Sequence, residues 1–324
     1  MKTIKLLFFS LCLVAGCIAI KPTERIAFEA PDSYPEGVAY DSVRNVYYVS
    51  SARLGVIGKV GPQGGYSVFH GDSTLKSTYG MKIHPDGKRL FVCVGDANYS
   101  KYTSPETRNK MIRLISIDLD NGKRLTDLDL SGLLPGEHFP NDITFGDNEN
   151  IYMTDSYSHA IYKITPQGQV SLFAKDEQFE TDGIGLNGIA YHPAGYLIVD
   201  NSNTGQLYKV EIRNPKNVQR IALDQYFLGG DGLLLNDPEH LTIVVNGGND
   251  KIFKLHSNDN WQSAKLSATT LIADRFTYPA TATKNGKDVW IMNARFNELL
   301  DSNAVPSKQF AIQRAVFKPV PKSK

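Results

Sequence analysis

Six segments along the chain open on residues able to do oxygen chemistry in a shared position: PEGVAYD, TYGMKIHP, PNDITFG, LNGIAYHP, GDGLLLND and TYPATATK. In one register their leading residues are Glu36, Tyr79, Asn141, Asn187, Asp231 and Tyr278. Equivalent positions in a closed ring of repeats face one axis. Two carboxylates and two amide oxygens at one point make a site for a hard cation. Without imidazole or thiolate, Ca²⁺ is expected ahead of Mg²⁺ or Zn²⁺, though another divalent ion fits the same donors. Two carboxylates cancel the charge of a dication and the amides add none, so the ion keeps Lewis acidity toward a carbonyl or phosphoryl oxygen. Four protein ligands leave positions for water and substrate. The competing reading makes these residues turn formers at strand starts, where Asn and Asp are common. Glu36 is a poor turn residue and speaks against it.

The elements that must position these residues follow from the spacing. By subtraction of their numbers, the leading residues stand 43, 62, 46, 44 and 47 positions apart. A period in the forties signals propeller blades or helical arrays. Each period holds alternating apolar runs separated by Gly, Asn, Asp or Pro: second runs such as NIYMTD and GYLIVD, third runs such as AIYKI and QLYKV, fourth runs such as VSLFA. The runs are β-branched and aromatic with period two, and helical heptads are absent. Four short strands in each of six units predict an all-β chain, a six-bladed β-propeller with a central metal channel. Blades cannot bury their faces alone, so residues 22–318 are expected as one domain, with 319–324 a flexible tail. QFAIQRAVF (309–317) and TERIAFEA (23–30) are the candidates for closing the ring, since an open ring exposes strand edges. The one long period carries DANYSKYTSPETRNK (96–110), a polar loop expected on the rim over the channel mouth.

Net charge is +1 with 21% charged residues, and no basic stripe or RNA-binding aromatic motif is present, so nucleic acid is not an expected partner. The N-terminus reads as an export signal: Lys2 and Lys5, then the apolar run LLFFSLCLVAG (6–16), too short to span a bilayer. It ends in Val14-Ala15-Gly16-Cys17, similar to a bacterial lipobox, which implies cleavage before Cys17 and lipidation of its thiol. Residues 1–17 are therefore expected to be removed or lipidated, leaving an exported periplasmic or cell-surface lipoprotein, monomeric, touching membrane only through its lipid; the alternative is an ordinary secretory signal cut nearby, which also exports the chain. Of three cysteines, Cys12 lies in the signal and Cys93 sits in the apolar run RLFVCV, a core thiol. Asn98-Tyr99-Ser100 matches a glycosylation sequon to which no role is assigned.

The Glu36, Asn141-Asp142, Asn187-Gly188 and Asp231-Gly232 pattern resembles the gluconolactonase/regucalcin (senescence marker protein) family of six-bladed propellers, and more distantly the paraoxonases. The resemblance covers nearly the whole chain after residue 30. It implies Glu36 and Asp231 as carboxylate ligands and Asn187 as the amide ligand. It implies Asn141 as a ligand or substrate contact, with Asp142 behind it. Tyr79 falls in the register where paraoxonases carry a histidine discussed as a base. A phenol with pKa near 10 is a poor base at neutral pH unless a metal lowers it, so the resemblance also gives Asp231 a double duty as ligand and base. What it implies is a calcium-dependent lactonase-like hydrolase of a small sugar-type lactone or ester. Asp231, Asp142 and Tyr79 are its catalytic candidates.

Other residues are weighed by position. His138, three before Asn141, is a candidate for lining the pocket, as are Tyr278 and Asn246. Asn293 ends a second run as Asn246 does. His84 and His192 lie in His-Pro turns and read as structural, and Asp155 and Asp200 read as turn braces. No GxSxG, phosphate loop or HExxH is present. The alternatives to a hydrolase are a non-enzymatic ligand-binding propeller at the cell surface and a strictosidine-synthase-like member without metal.

Overall fold

The computed structural model describes residues 24–97 and 99–321. The export signal with Cys17 and the sequon residue Asn98 lie outside them.

Six sheets follow one another, five of four antiparallel strands and one, in blade five, whose four antiparallel strands are extended by the short strands Ala222–Leu223, in parallel, and Lys318–Pro319. The innermost strands are Val38–Asp41, Ser77–Ile83, Pro140–Phe145, Leu186–His192, Gly230–Asp237 and Pro279–Asn285. Each packs against the inner strand of the next blade, and the sixth against the first, so the sheets close into a six-bladed propeller. The second, third and fourth strands of blade three, Ile151–Asp155, Ala160–Ile164 and Val170–Lys175, show the repeat. Both proposed closing segments are used. Blade six runs Pro279–Asn285, Asp288–Asn293, Gln309–Arg314 and then the N-terminal Arg25–Glu29, registered from Arg25 opposite Gln313 to Glu29 opposite Gln309. The chain ends thus hold each other, which removes two exposed edges at once.

The apolar alternation read from the sequence is buried between blades. Tyr48, Met81 and Val92 pack between blades one and two, and Tyr152, Ile189 and Leu197 between three and four. Cys93 is buried there as a free thiol. The chain end departs from the tail expected after residue 318. Lys318–Pro319 lie along the outer strand of blade five, Ser263–Thr269, and Val320 N–H donates to Ser267 O at 3.0 Å.

The inner strands share one irregularity that sets the site. In blades two to six the ladder slips by one residue, between Thr78 and Met81, Pro140 and Ile143, Leu186 and Ile189, Gly230 and Leu233, and Pro279 and Ala282. Such β-bulges re-aim side chains and are frequent beside active sites. The leading residue is the first of the two bulged positions. Blade one matches it: Glu36 N–H and Gly37 N–H both donate to Ser50 Oγ. The second bulged position is Gly37, Gly80, Gly188 and Gly232 in four blades. A Cβ there would stand 2.3, 2.4, 2.1 and 2.7 Å from the carbonyl oxygens of Tyr79, Asn141, Asp231 and Ala280. Glycine is needed because neighbouring inner strands approach this closely.

This register corrects one expectation. The sixth leading residue is Ala280, not Tyr278. Tyr278 instead matches Tyr34, Phe139, Gly185 and Gly229. Their carbonyls accept from Ala294, Ala52, Ser156, Ser202 and Asn246 N–H respectively, the residues just past each second strand.

Candidate functional site

The bulges bring Glu36, Asn141, Asn187 and Asp231 from four blades to one cavity of about 50 Å³. All four are buried. Their oxygens are posed and unspent. Asn141 Nδ2 donates to Ser156 Oγ at 3.1 Å, which fixes the amide with Oδ1 on the other side. Glu36 Oε1 accepts from Thr281 Oγ1 at 3.3 Å. Asp231 Oδ2 accepts from Asn246 Nδ2 at 2.6 Å. That leaves Glu36 Oε2, Asn141 Oδ1 and Asn187 Oδ1 buried without any hydrogen-bond partner. Orphaned buried oxygens are costly unless something outside the chain satisfies them.

The charge is as unbalanced as the hydrogen bonding. Burial first, then Asp231 and Asp142, raises the Glu36 carboxyl well above the ordinary range. Burial raises Asp142, and burial with Asp231 raises Asp200. Asp231 is pushed up to about 7 by burial and by Asp142, against the hydrogen bond from Asn246. Lys82 is the cation acting on Glu36 and Asp142. Its ammonium stands 3.9 Å from Asp142 Oδ2. Buried carboxylates in this number call for a partner cation or for protons. Among the described residues no three His, Cys, Asp or Glu side chains converge as a metal cluster. The donor set here is half amide, which suits oxygen-loving Ca²⁺ and not zinc. The residues present therefore fit a hard divalent cation.

The remaining wall is aromatic. Tyr99, Phe139, Ile184, Tyr278 and Phe296 line the cavity with Ser202 and Asn246. Tyr99 lies 5.3 Å and Tyr278 5.9 Å from the Phe296 ring, centroid to centroid. Tyr99 comes from the long loop of blade two, which does reach the channel mouth. Cavities that take drug-sized ligands run to about 300–1,000 Å³. This one has room for an ion with a few waters, and the half-buried rings of Tyr99 and Tyr278 narrow its mouth.

Several sequence candidates are placed elsewhere. Tyr79 does not line the cavity: its hydroxyl accepts from Ala97 N–H, its ring packs on Phe139, and burial raises the phenol further. A base there is excluded by position and by that shift. His138 is tied to Asp155 through Nδ1 at 2.6 Å and belongs to the blade interior, not the pocket. Asp142 does not line the cavity: its Oδ1 accepts from Ile143 N–H, its Oδ2 is buried without a partner, and it acts on Glu36 and Asp231 by its charge. Asn293 accepts from Thr277 N–H and donates to Ala311 O, away from the cavity. Asp155 does brace its turn, accepting from Phe139, Tyr157 and Ser158 N–H. Its true counterpart in blade four is Asn201, which accepts from Thr204 N–H. Asp200 sits one position earlier, with both oxygens unpartnered. His84 and His192 hold their turns by accepting from Asp86 and Ala194 N–H. Phe139, Ile184, Ser202 and Phe296 escaped the sequence reading. Ser202 was findable, since it matches Ser156 and Asn246 just past the second strand.

The fold is that of the gluconolactonase-like six-bladed propellers. A gluconolactonase of Xanthomonas campestris superposes with TM-score 0.59 at 14% identity, covering 90% of this chain and 89% of that one. Virginiamycin B lyase of Staphylococcus aureus gives 0.56 at 15%, covering 90% and 100%. The major Malassezia sympodialis allergen Mala s 1 gives 0.72 at 16%, covering 92% and 97%. In sequence, core trichothecene cluster protein 14 of Fusarium sporotrichioides is 29% identical over 203 residues, 56% of this chain and 52% of that protein. The alignment thus spans about half the length of the curated relative. No family model matches the chain.

Proposed function

We propose that the Glu36–Asn141–Asn187–Asp231 cavity is a divalent-cation site, calcium first, and that the chain is a cation-dependent, lactonase-like hydrolase. The observation that carries this is the set of three buried, unpartnered oxygens on one cavity beside Asp231. The fold shared with gluconolactonases supports the reaction class. A cation held there supplies Lewis acidity to a lactone or ester carbonyl. The chain's own residues do the rest. Glu36 and Asp231 hold the charge, and Ser156, Thr281 and Asn246 fix the orientation of Asn141, Glu36 and Asp231. Asp231, whose Oδ2 is held by Asn246, is the proposed base as well as a ligand, the double duty that the resemblance implies. The aromatic rings narrow the approach to the cavity. The signal read in residues 6–17 makes the enzyme an exported one, anchored through Cys17.

The small volume of the cavity favours one second reading, a propeller that holds its cation without turnover. Calcium titration by calorimetry, followed by a panel of lactones and aryl esters, separates the two. Calcium binding with hydrolysis that disappears in Glu36→Gln supports the enzyme, and binding without turnover supports the second reading. Absence of calcium binding by the wild-type protein refutes both.

A further inference from the structure

We propose that the opposite end of the inner strands is a second binding site, for a small organic anion: a carboxylate on an apolar body. A cavity of about 330 Å³ lies there, lined by Val38, Ala39, Tyr40, Lys82, Ile83, Thr144, Phe145, Thr283 and Lys284. These residues stand two to four positions beyond the leading ones, so at about 3.3 Å per residue the two sites are separated by about 7–13 Å of strand. The size falls within the range of small-molecule pockets.

The polar groups of this wall are arranged as donors. Lys82 is ion-paired with Asp142 at 3.9 Å, which meets part of its charge but lies beyond hydrogen-bond reach and leaves its N–H groups to donate. Lys284 gives one of its three N–H groups to Asn236 O. Thr144 Oγ1 accepts from Tyr191 N–H and Thr283 Oγ1 from Tyr40 N–H, both at 3.1 Å. Each of those hydroxyls therefore has its own proton left to donate. Among the described residues no Asp or Glu lines the cavity. Of the charges around Lys284, Asp237 opposes its field and Lys254 adds to it. Two ammonium groups and two hydroxyl donors match a carboxylate's acceptors. Val38, Ala39, Ile83 and Phe145 offer an apolar surface beside them, which inorganic phosphate would not use.

Benzoate titrated into chelator-treated protein tests this, read by calorimetry and by backbone NMR shifts. Saturable binding is expected, tighter than that of acetate or inorganic phosphate. Shifts are expected at Thr144, Thr283 and Lys284. Lys284→Gln is expected to weaken binding roughly tenfold or more, as loss of a charged hydrogen bond does, and Lys284→Arg to retain it. Both variants keep the cation site, so calcium affinity reports their folding. No saturable benzoate binding overturns the proposal, as does phosphate binding as tightly as benzoate. So do shifts centred on Asn187 and Asp231, or a folded Lys284→Gln that binds benzoate unchanged.

Discussion

Asn246 Nδ2 donates to Asp231 Oδ2 at 2.6 Å and to Pro279 O at 3.0 Å, so one amide ties the blade-five carboxylate to the backbone of blade six. The sequence made Asn246 a substrate contact. The structure makes it the group that aims Asp231 while also bordering the cavity. Asn246→Leu removes the donor and leaves Asp231 harder to ionise. Supporting hydrogen bonds of this kind are worth about 10–100-fold in metal affinity. Calcium calorimetry at neutral pH is expected to show a loss in that range, and unchanged affinity would contradict the aiming role.

Removing a carboxylate should have opposite effects with and without the ion. Glu36 is buried with Asp231 and Asp142 nearby, opposed by the hydrogen bond from Thr281 and the charge of Lys82. In chelator-treated protein, Glu36→Gln relieves uncompensated negative charge, so its melting temperature is expected to equal or exceed that of the wild type. Calcium should raise the wild-type melting temperature and leave that of the variant unmoved. A chelated variant melting well below wild type would show that Glu36 is satisfied by the protein itself.

The pH dependence has a definite sign. Asp231 is raised to about 7, and Glu36 and Asp200 are raised also. A carboxyl raised on folding binds its proton more tightly in the native state. Its contribution is full below the ordinary carboxylate range and is lost as pH rises through the folded value. Cation-free protein should therefore lose stability progressively as pH rises from about 4 to about 7. Calcium competes with those protons, so its stabilising shift should grow over the same interval. Melting scans with calcium and with chelator across that range check both slopes. A calcium shift independent of pH would separate the ion from these carboxylates.

Much of this architecture was legible because propeller repeats print their register. The leading residues and the second strands recur at near-fixed distance, whereas the bulge marked by the Gly after Glu36, Tyr79, Asn187 and Asp231 emerged only with the structure. Blade six misled because Tyr-Pro-Ala lacks that glycine: Thr281 stands in its place, and the register slipped by two to Tyr278. Asp200 was matched to Asp155 for a related reason, since strand ends in blades three and four differ by one residue. What sequence could not show is depth along the axis. Tyr79 and Asn141 share a register, yet the amide oxygen stops at the cavity, while the longer phenol runs past it to Ala97 and Phe139. The roof was hidden too, because Tyr99 and Phe296 come from irregular segments with no period to place them.

The bulge glycines give a prediction about the ring itself. A Cβ on Gly188 would stand 2.1 Å from Asp231 O, and backbone cannot yield as a flexible side chain does. Gly188→Ala is expected to cost roughly 1–3 kcal/mol or more, the range for overpacking. Gly132 has open space around it, so Gly132→Ala should stay within about 0.5 kcal/mol of wild type. Urea denaturation of both variants makes the comparison. A Gly188→Ala protein as stable as Gly132→Ala would contradict the close approach of blades four and five.

The roof sets the last prediction. Tyr99, Phe296 and Tyr278 stack in sequence over the cavity, and Tyr99 arrives from the blade-two loop, which Ser100 and Lys101 also tie to Lys76 O and Arg53 O. An aromatic pair contributes about 0.5–1.5 kcal/mol beyond its buried area. Deleting one pair from the closed state should populate an open roof roughly two- to tenfold more, if the loop moves as a unit. Tyr99→Ala is therefore expected to release calcium to a chelator faster by that factor, with calcium affinity changed far less. Turnover of bulky lactones should rise with it, because access and not chemistry is what the roof withholds. Stopped-flow chelation with a fluorescent calcium indicator measures the first effect, and kcat/KM across lactones of increasing size the second. Unchanged release from a folded Tyr99→Ala protein would show that the ion leaves by another route, and that this stack is a wall and not a gate.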